Sequence, residues 1–280
     1  NGSAILFNGK VYYYYHGIYE GKSVIGLAIS EDGKNFTKHS TPVLKYGPEH
    51  SWDSAAVADP YVISHNGSLY MYFLGMDDLM VQRIGVARSK DGITWEKFGS
   101  RAILDVGAAG TFDENGLGEP SVIYYAPYFY MIYTGRAADE KRDVGIAISL
   151  DGVNWKKLNT TGLFHERKAG TWDESVICDT TIYFDKEKGI LDVWYGGGNK
   201  PSPDQNLNGN VGLFQMSLDQ GRDMGVFDPN TLFSKNIAST DILRGSYPIE
   251  GEPGNKQVWV SSDSTISLLQ NKTGGILIKG

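Results

Sequence analysis

DPYVISHNGSLYMYFLG, residues 59–75, and RIGVARSKDGITWEK, residues 83–97, decide the fold. In both stretches, short runs of aromatic and β-branched residues flank a turn dipeptide, Asn66-Gly67 in the first and Asp91-Gly92 in the second. Such dipeptides accept the positive φ angles of tight hairpins, which makes them the strongest local signal for paired antiparallel strands. The two stretches together therefore predict one unit of four antiparallel strands.

The same unit recurs along the chain. Asp59-Pro60, Glu119-Pro120 and Asp179-Thr180 begin successive units, and 60 positions separate each acid from the next. A four-stranded sheet repeated at a fixed period is typical of a β-propeller, whose blades surround a central channel. The sequence thus predicts an all-β protein, a five-bladed β-propeller with four-stranded antiparallel blades.

We assign the whole chain, 1–280, to a single propeller domain, since a chain of this length buries a large core in one domain. The fourth predicted blade carries a longer loop, and the fifth is degraded because it lacks an Asp-Gly turn. The predicted blades cover approximately residues 1–45, 59–104, 119–164, 179–233 and 246–280.

Net charge and composition argue against two classes of partner, nucleic acids and membranes. A net charge of −7 argues against nucleic-acid binding, which needs a basic surface to neutralise phosphates. No run approaches the roughly 20 apolar residues that cross a bilayer, so we expect no membrane partner. The chain opens at Asn1 without a Met, from which we expect a removed leader and a secreted or periplasmic location, with a cytoplasmic one left open. The sequence does not address the oligomeric state.

Chain reversal at each hairpin determines which residues share a face. The start of the first strand, the loop between the second and third strands, and the connection between blades all lie at one end of a propeller. We therefore expect the candidate catalytic acids Asp59, Glu119 and Asp179 at the channel mouth. The candidate substrate-binding residues at the same end are Asn1, His16, Trp52, Asp77, Phe112, Arg136, Trp172, Asn199 and Glu250.

Converging carboxyls predict glycosidic bond cleavage. One carboxyl with a raised pKa protonates the leaving oxygen, while another activates water or attacks the sugar. We assign Glu119 as the general acid, Asp179 as a candidate base, and Asp59 as an orienting or pKa-tuning carboxylate or alternatively as the acid itself. Trp52 and Trp172 can stack on sugar faces. Arg136, His16 and Asn199 can bind hydroxyls or an anionic group.

Other repeated residues have structural interpretations. We expect Asp53, Asp113 and Asp173 to bind backbone amides and fix the start of each blade, and Trp95 and Trp155 to pack between blades. The single Cys178 excludes an internal disulfide and is expected to be a small buried residue. The five histidines show no metal-ligand spacing, so no metal site is predicted. No cofactor is required; a Ca²⁺ ion bound in the channel stays open but is not indicated.

The chain resembles the five-bladed propeller glycosidases, which include glycoside hydrolase families 32, 43, 68, 117 and 130. The resemblance rests on Asp59-Pro60-Tyr61-Val62-Ile63, on Gly118-Glu119-Pro120-Ser121, and on a block Gly-x-Ala-x-Ser-x-Asp-Gly-x-x-Trp/Phe seen three times. It implies a glycoside hydrolase acting on a terminal or short-chain glycosidic bond. In families 32 and 43 the first blade begins with an essential Asp, where this chain has Asn1. Asp179 or Glu250 would then supply the nucleophile or base.

Two alternatives accompany the hydrolase interpretation. Asn1 and the degraded fifth blade favour a carbohydrate-binding propeller without catalysis. The opening Asn1-Gly2-Ser3-Ala4 with Asp59-Pro60 is also similar to family 130, the mannoside phosphorylases and mannosidases, in which the Asp of the Asp-Pro motif is the proton donor. Tyr61 replaces the Arg usual in that family, and only Arg136 and His16 are placed to hold phosphate. Phosphorolysis is therefore the third interpretation.

Overall fold

The computed structural model describes residues 2–165, 167, 169–200 and 209–218, together with the backbone of three strands between residues 257 and 279. Its sheets are built from β-strands β1 to β18 within these ranges, which confirms the predicted all-β class. Among the same residues, no helix has the length and apolar character needed to span a membrane.

Three four-stranded antiparallel units follow one another in the described chain. In each, strands adjacent in sequence are paired in the sheet, as the Asn-Gly and Asp-Gly turns predict. The first unit comprises β1 (Gly2–Phe7), β2 (Lys10–Tyr19), β3 (Lys22–Ser30) and β4 (Thr37–Lys38). The second comprises β5 (Ala56–His65), β6 (Ser68–Met76), β7 (Gln82–Ser89) and β8 (Glu96–Lys97). The third comprises β9 (Gly116–Tyr125), β10 (Tyr128–Arg136), β11 (Arg142–Ser149) and β12 (Trp155–Lys157).

The fourth unit is described for three antiparallel strands: β13 (Val176–Asp185), β14 (Ile190–Gly198) and β15 (Asn210–Ser217). It joins the third unit through a single parallel pair, Arg142 with Val176. The remaining strands, β16 (Gln257–Ser261), β17 (Thr265–Gln270) and β18 (Ile276–Lys279), pair with one another, and β16 joins β15 through Met216 and Val260. The count of five blades and the single-domain boundaries stay predictions.

Neighbouring units are held together by a repeated contact. Tyr14 on β2 packs edge-on against Trp95 at 5.5 Å, and its hydroxyl donates to the carbonyl of Gly92 at 2.7 Å. Tyr72 on β6 makes the equivalent contact with Trp155 at 5.7 Å and donates to the carbonyl of Gly152 at 2.9 Å. The expected packing of Trp95 and Trp155 between units is thus confirmed.

The acids Asp53, Asp113 and Asp173 fix the connections between units. Asp53 and Asp113 are buried and form ion pairs with Lys97 on β8 and Lys157 on β12. Asp173 accepts a hydrogen bond from the Tyr195 hydroxyl at 3.0 Å. The structural role expected for these acids is confirmed, although their partners here are side chains rather than backbone amides.

Candidate functional site

Each of the three predicted catalytic acids interrupts the first strand of its unit. The pairing register shifts between Ala58 and Tyr61 around Asp59, and between Cys178 and Thr181 around Asp179. An equivalent irregularity in the pairing of β9 with β10 surrounds Glu119. A bulge of this kind re-aims a side chain out of the ladder and is common next to active sites.

The backbone at these acids is strained. The φ angles of Asp59, Glu119 and Asp179 are 47°, 52° and 53°, in the left-handed region that side-chain-bearing residues seldom adopt. Such a conformation costs on the order of 1–3 kcal/mol and is found preferentially at functional sites. Three repeats of the same costly geometry at the same strand position point to a shared purpose for the carboxyls.

The three acids converge on one small pocket, which we call the acid pocket. It has a volume of about 100 Å³, and its walls include the acids and their neighbours Pro60, Pro120 and Thr180. Carboxyl oxygens of Glu119 and Asp179 lie within 4.8 Å of each other. Glu119 Oε2 also accepts a hydrogen bond from the backbone N–H of Asp179 at 2.7 Å. The structure therefore brings together the residues that the repeat places at equivalent positions.

The Glu119 carboxyl in the acid pocket has a raised pKa. Burial is the largest influence, followed by the negative charges of Asp179 and then Asp59, and together they raise the pKa of Glu119 to about 7. The hydrogen bonds that its carboxylate accepts oppose this rise without cancelling it. Arg142 Nη1 lies 3.5 Å from Glu119 Oε1, and the Glu119 side chain is 13% exposed. A carboxyl protonated near neutral pH is what general acid catalysis requires.

Two predicted substrate-binding residues, His16 and Asn199, keep polar atoms that no described partner satisfies fully. His16 Nδ1 is 3.8 Å from Asp59 Oδ1, and the His16 side chain is 42% exposed. The Asn199 Oδ1 atom is buried and has no hydrogen-bond partner among the described residues. Two further candidates, Asn1 and Glu250, lie outside the described residues.

Arg136 and Asp77 are engaged in local structure. Arg136 donates to the carbonyl of Asn115 at 3.0 Å, within the connection that precedes the third unit. Asp77 accepts from the N–H groups of Leu79 and Val81, each at 2.9 Å, and from Arg83 at 2.7 Å. Asp77 therefore stabilises the loop between β6 and β7, and this is the role that its contacts support.

The predicted aromatic residues Trp52, Phe112 and Trp172 pack on the sheets and are absent from the walls of the acid pocket. Each ring covers at least one glycine of the unit that follows it, so closely that a Cβ there would clash. Phe112 is only 9% exposed, and Trp172 stacks on Tyr195 at 5.8 Å. Packing, rather than sugar stacking, is the role that these contacts support. The sequence did contain an indication of this packing role: glycines recur in pairs at equivalent positions, Gly75 with Gly85 and Gly135 with Gly145.

Sequence reasoning missed Arg142 and a larger cleft beside it. This second cavity, which we call the cationic cleft, has a volume of about 400 Å³. Its walls come from the connections before and after the third unit, residues 110–112, 114, 160–162, 165 and 167, and from residues 137–139 and 141–143, between β10 and β11 and at the start of β11. Arg142 lines the cleft and contacts Glu119, so the cleft adjoins the acid pocket. The repeat gave no signal, because the equivalent position in the second unit is Gln82.

Glu119, Cys178 and Asp179 are close enough to share a metal ion, since one ligand atom from each lies within 4.8 Å of the others. Burial, followed by the charges of Glu119 and Asp179, raises the pKa of the Cys178 thiol. Cys178 is 4% exposed, which agrees with the predicted small buried residue.

Comparison with known proteins points to carbohydrate-active enzymes. The family model Glyco_hydro_130, described as beta-1,4-mannooligosaccharide phosphorylase, matches residues 1–222. An uncharacterized protein of Mycobacterium tuberculosis (strain CDC 1551 / Oshkosh) is 30% identical over 164 residues, which is 56% of this chain and 51% of that protein. A 1,2-beta-oligomannan phosphorylase of Thermoanaerobacter sp. (strain X514) is 29% identical over 129 residues, 41% of each chain. The chain spans about half the length of the curated relatives it matches.

Solved structures show the same fold. A putative glycosidase from Bacteroides thetaiotaomicron has a TM-score of 0.57 and 21% identity, with coverage of 76% of this chain and 67% of that one. A thermostable family-43 glycoside hydrolase has a TM-score of 0.56 and 17% identity, with coverage of 77% and 70%. The resemblance to the propeller glycosidases is therefore confirmed at the level of fold.

Proposed function

The chain belongs to glycoside hydrolase family 130, and on that premise we propose that it cleaves a glycosidic bond of a short oligosaccharide in the acid pocket. One observation carries the proposal: Glu119, whose pKa is raised to about 7, lies between Asp59 and Asp179 at the wall of a small open pocket. A protonated carboxyl beside an exposed carboxylate supplies the acid and its partner that this reaction needs.

Glu119 donates its proton to the glycosidic oxygen as the bond to the sugar breaks. The oxygens of Glu119 and Asp179 lie within 4.8 Å of each other, which is closer than the roughly 5–5.5 Å of a pair whose second carboxylate attacks the sugar directly. An inverting pair needs about 6.5–9.5 Å to hold a water. Asp179 is accordingly the proposed nucleophile, and Glu119 then removes a proton from the water that releases the product. Asp59 raises the proton affinity of Glu119 by its charge.

Phosphorolysis is the second candidate, because the family model and the Thermoanaerobacter relative are both described as phosphorylases. The charges of this chain favour water as the acceptor. Three carboxyls surround the pocket and repel a phosphate dianion, although Arg142 and His16 lie beside two of them. Hydrolysis is the proposed reaction for that reason.

The test is cleavage of aryl glycosides and short oligosaccharides, mannosides included, with and without inorganic phosphate. We expect free sugar to be released without phosphate, and Glu119→Gln to lose on the order of 10²–10⁴-fold in rate while still binding substrate. Glu187→Gln, the same change at an exposed turn, is the matched control and should keep full activity. Product that appears only as a sugar phosphate would establish the phosphorylase. Saturable binding without turnover by the unmodified protein would establish a binding propeller.

A further inference from the structure

We propose that the cationic cleft binds a hexuronate residue of the oligosaccharide, with Arg142 and Arg167 holding its carboxylate. This inference deepens the proposed function, on which it rests, by naming the substrate class as an acidic saccharide. The cleft has a volume of about 400 Å³, within the range of about 300–1,000 Å³ that small-molecule sites occupy. The acid pocket, at about 100 Å³, is too small to hold more than the atoms around the scissile bond.

The two arginines are largely buried and incompletely paired. Their side chains are 17% and 12% exposed, in a protein whose net charge is −7. Arg142 Nη1 lies 3.5 Å from Glu119, and Arg167 Nη2 lies 3.5 Å from Asp143. These separations exceed the roughly 2.7–2.9 Å of a good charge-assisted hydrogen bond. Arg167 Nη1 also donates to the backbone carbonyl of Asp173 at 3.1 Å, which leaves the charge of the guanidinium without a close anionic partner. Both guanidinium groups therefore retain capacity for an additional anionic partner.

Two further observations support the conclusion that the two arginines are incompletely paired. The Nε atom of Arg142 is buried and has no hydrogen-bond partner among the described residues, a costly state for a charged donor. The acids that face the arginines are themselves weakened, because burial raises the pKa of both Glu119 and Asp143. A ligand carboxylate in the cleft supplies the missing acceptor.

The walls of the cleft favour a sugar carboxylate over free phosphate. A planar guanidinium matches a carboxylate with two parallel hydrogen bonds. Thr111, Thr160 and Thr161 line the cleft with hydroxyl-bearing side chains that suit a polyhydroxylated ring. Glu114, Asp139 and Asp143 also line it, beside Lys141 and the two arginines, and repel a dianion more than a monoanion. Because Arg142 reaches Glu119, a uronate held there lies next to the bond to be cleaved.

The test is direct binding of glucuronate, galacturonate and mannuronate, each compared with its neutral hexose, by calorimetry at low salt. For each uronate that binds, we expect an affinity at least about tenfold higher than that of the parent hexose. The double variant Arg167→Gln/Asp143→Asn, which removes the pair without stranding the buried acid, should lose about tenfold or more in uronate affinity. Arg167→Lys, which keeps the charge but not the fork, should lose less.

Arg88→Gln is the matched control, since the Arg88 side chain is 44% exposed on β7 and does not line the cleft. It should bind uronates unchanged. Equal affinity for uronate and hexose, or uronate affinity unaffected in both Arg167 variants, would overturn the proposal, as would tighter binding of inorganic phosphate than of any uronate. Binding is read without turnover, so this outcome is independent of whether Glu119→Gln abolishes cleavage.

Discussion

At the residue scale, Glu119 is set apart from its two repeat equivalents by its surroundings. Asp59, Glu119 and Asp179 share a strand position and a backbone conformation. Glu119 has the other two acids as charged neighbours that raise its pKa, and Arg142 lies 3.5 Å away. The 60-residue period predicts that the acids are equivalent in place, but their protonation depends on neighbours that the repeat does not specify.

The pH dependence of cleavage follows from the proton on Glu119. As the general acid, Glu119 must be protonated, so kcat/KM should fall as the pH rises through about 7. Removing a neighbouring negative charge in Asp59→Asn should lower the pKa of Glu119 and move this limb to lower pH. A profile measured from about pH 5 to about pH 9 for both proteins checks this. An identical limb in Asp59→Asn would contradict the assignment of Asp59 as the tuning charge.

The same proton affects stability. The pKa of Glu119 is raised from 4.5 to about 7 in the folded protein, so the folded state binds this proton more tightly than the unfolded chain. Its contribution to the free energy of unfolding is complete below about pH 4.5 and is lost as the pH rises through about 7, by on the order of 3 kcal/mol. Glu119→Gln cannot titrate and should show a smaller decrease. Urea unfolding at about pH 5 and about pH 8 measures the difference, and equal decreases would contradict it.

At the element scale, the strand order was predictable from turn dipeptides and the bulges were not. Asn66, Gly67 and Gly92 adopt positive φ in their turns, as their chemistry allows, so the hairpins can be placed from the sequence. Asp59, Glu119 and Asp179 adopt positive φ inside strands, where no turn dipeptide marks it. Tertiary contacts impose that geometry, which is why a sequence pattern does not reveal it.

The aromatic residues before each unit show a second limit at this scale. Trp52 was predicted to face a sugar, whereas it covers Gly75 and Gly85 of the following strands. A Trp in a connecting loop is compatible with either role by composition. The glycines on the opposing strands leave room for the ring and so favour packing. The sequence indicates this only when the loop and these glycines are considered together.

Gly75→Ala tests the close packing of Trp52. A Cβ at position 75 overlaps the Trp52 ring, so we expect this substitution to destabilise the protein by roughly 1–3 kcal/mol. Gly17 is the equivalent position on β2 of the first unit and the matched control, because a Cβ there meets only Tyr15 at 3.8 Å. Denaturant unfolding of both variants measures the contrast. Equal stability of Gly75→Ala and Gly17→Ala would show that the Trp52 loop moves aside without cost.

At the scale of the whole molecule, residues that recur from unit to unit build the scaffold, whereas residues that differ between units build the cationic cleft. The Tyr–Trp contact joins the first unit to the second and the second to the third, then stops, because Ile132 replaces Tyr72 in the third unit. The cationic cleft forms at this next junction, from Arg142 in place of Gln82 and from Arg167. The sequence repeat therefore predicts the contacts that the junctions share. The residues that make one junction different are identified only in the structure.

The junction between the second and third units also determines how Asp59 and Glu119 are held relative to each other. Tyr72 is fully buried, and its hydroxyl satisfies the carbonyl of Gly152 across that junction at 2.9 Å. Tyr72→Phe keeps the ring against Trp155 but leaves this buried carbonyl without a donor, which should lower the free energy of unfolding by about 1–3 kcal/mol. Tyr183→Phe, at a side chain 60% exposed, should change it by less than about 0.5 kcal/mol.

Unfolding in urea gives both values, and an unchanged m-value shows that the same surface is exposed in each protein. Tyr14→Phe, which removes the same hydrogen bond one junction earlier, should lose a similar amount, since Tyr14 is equally buried and donates to Gly92 at 2.7 Å. The two sites lie in different junctions and share no partner, so the double variant should lose the sum of the two. A loss clearly larger than that sum would mean that the units unfold cooperatively through these contacts. A loss no greater than that of Tyr183→Phe would mean that water replaces the hydroxyl at both junctions.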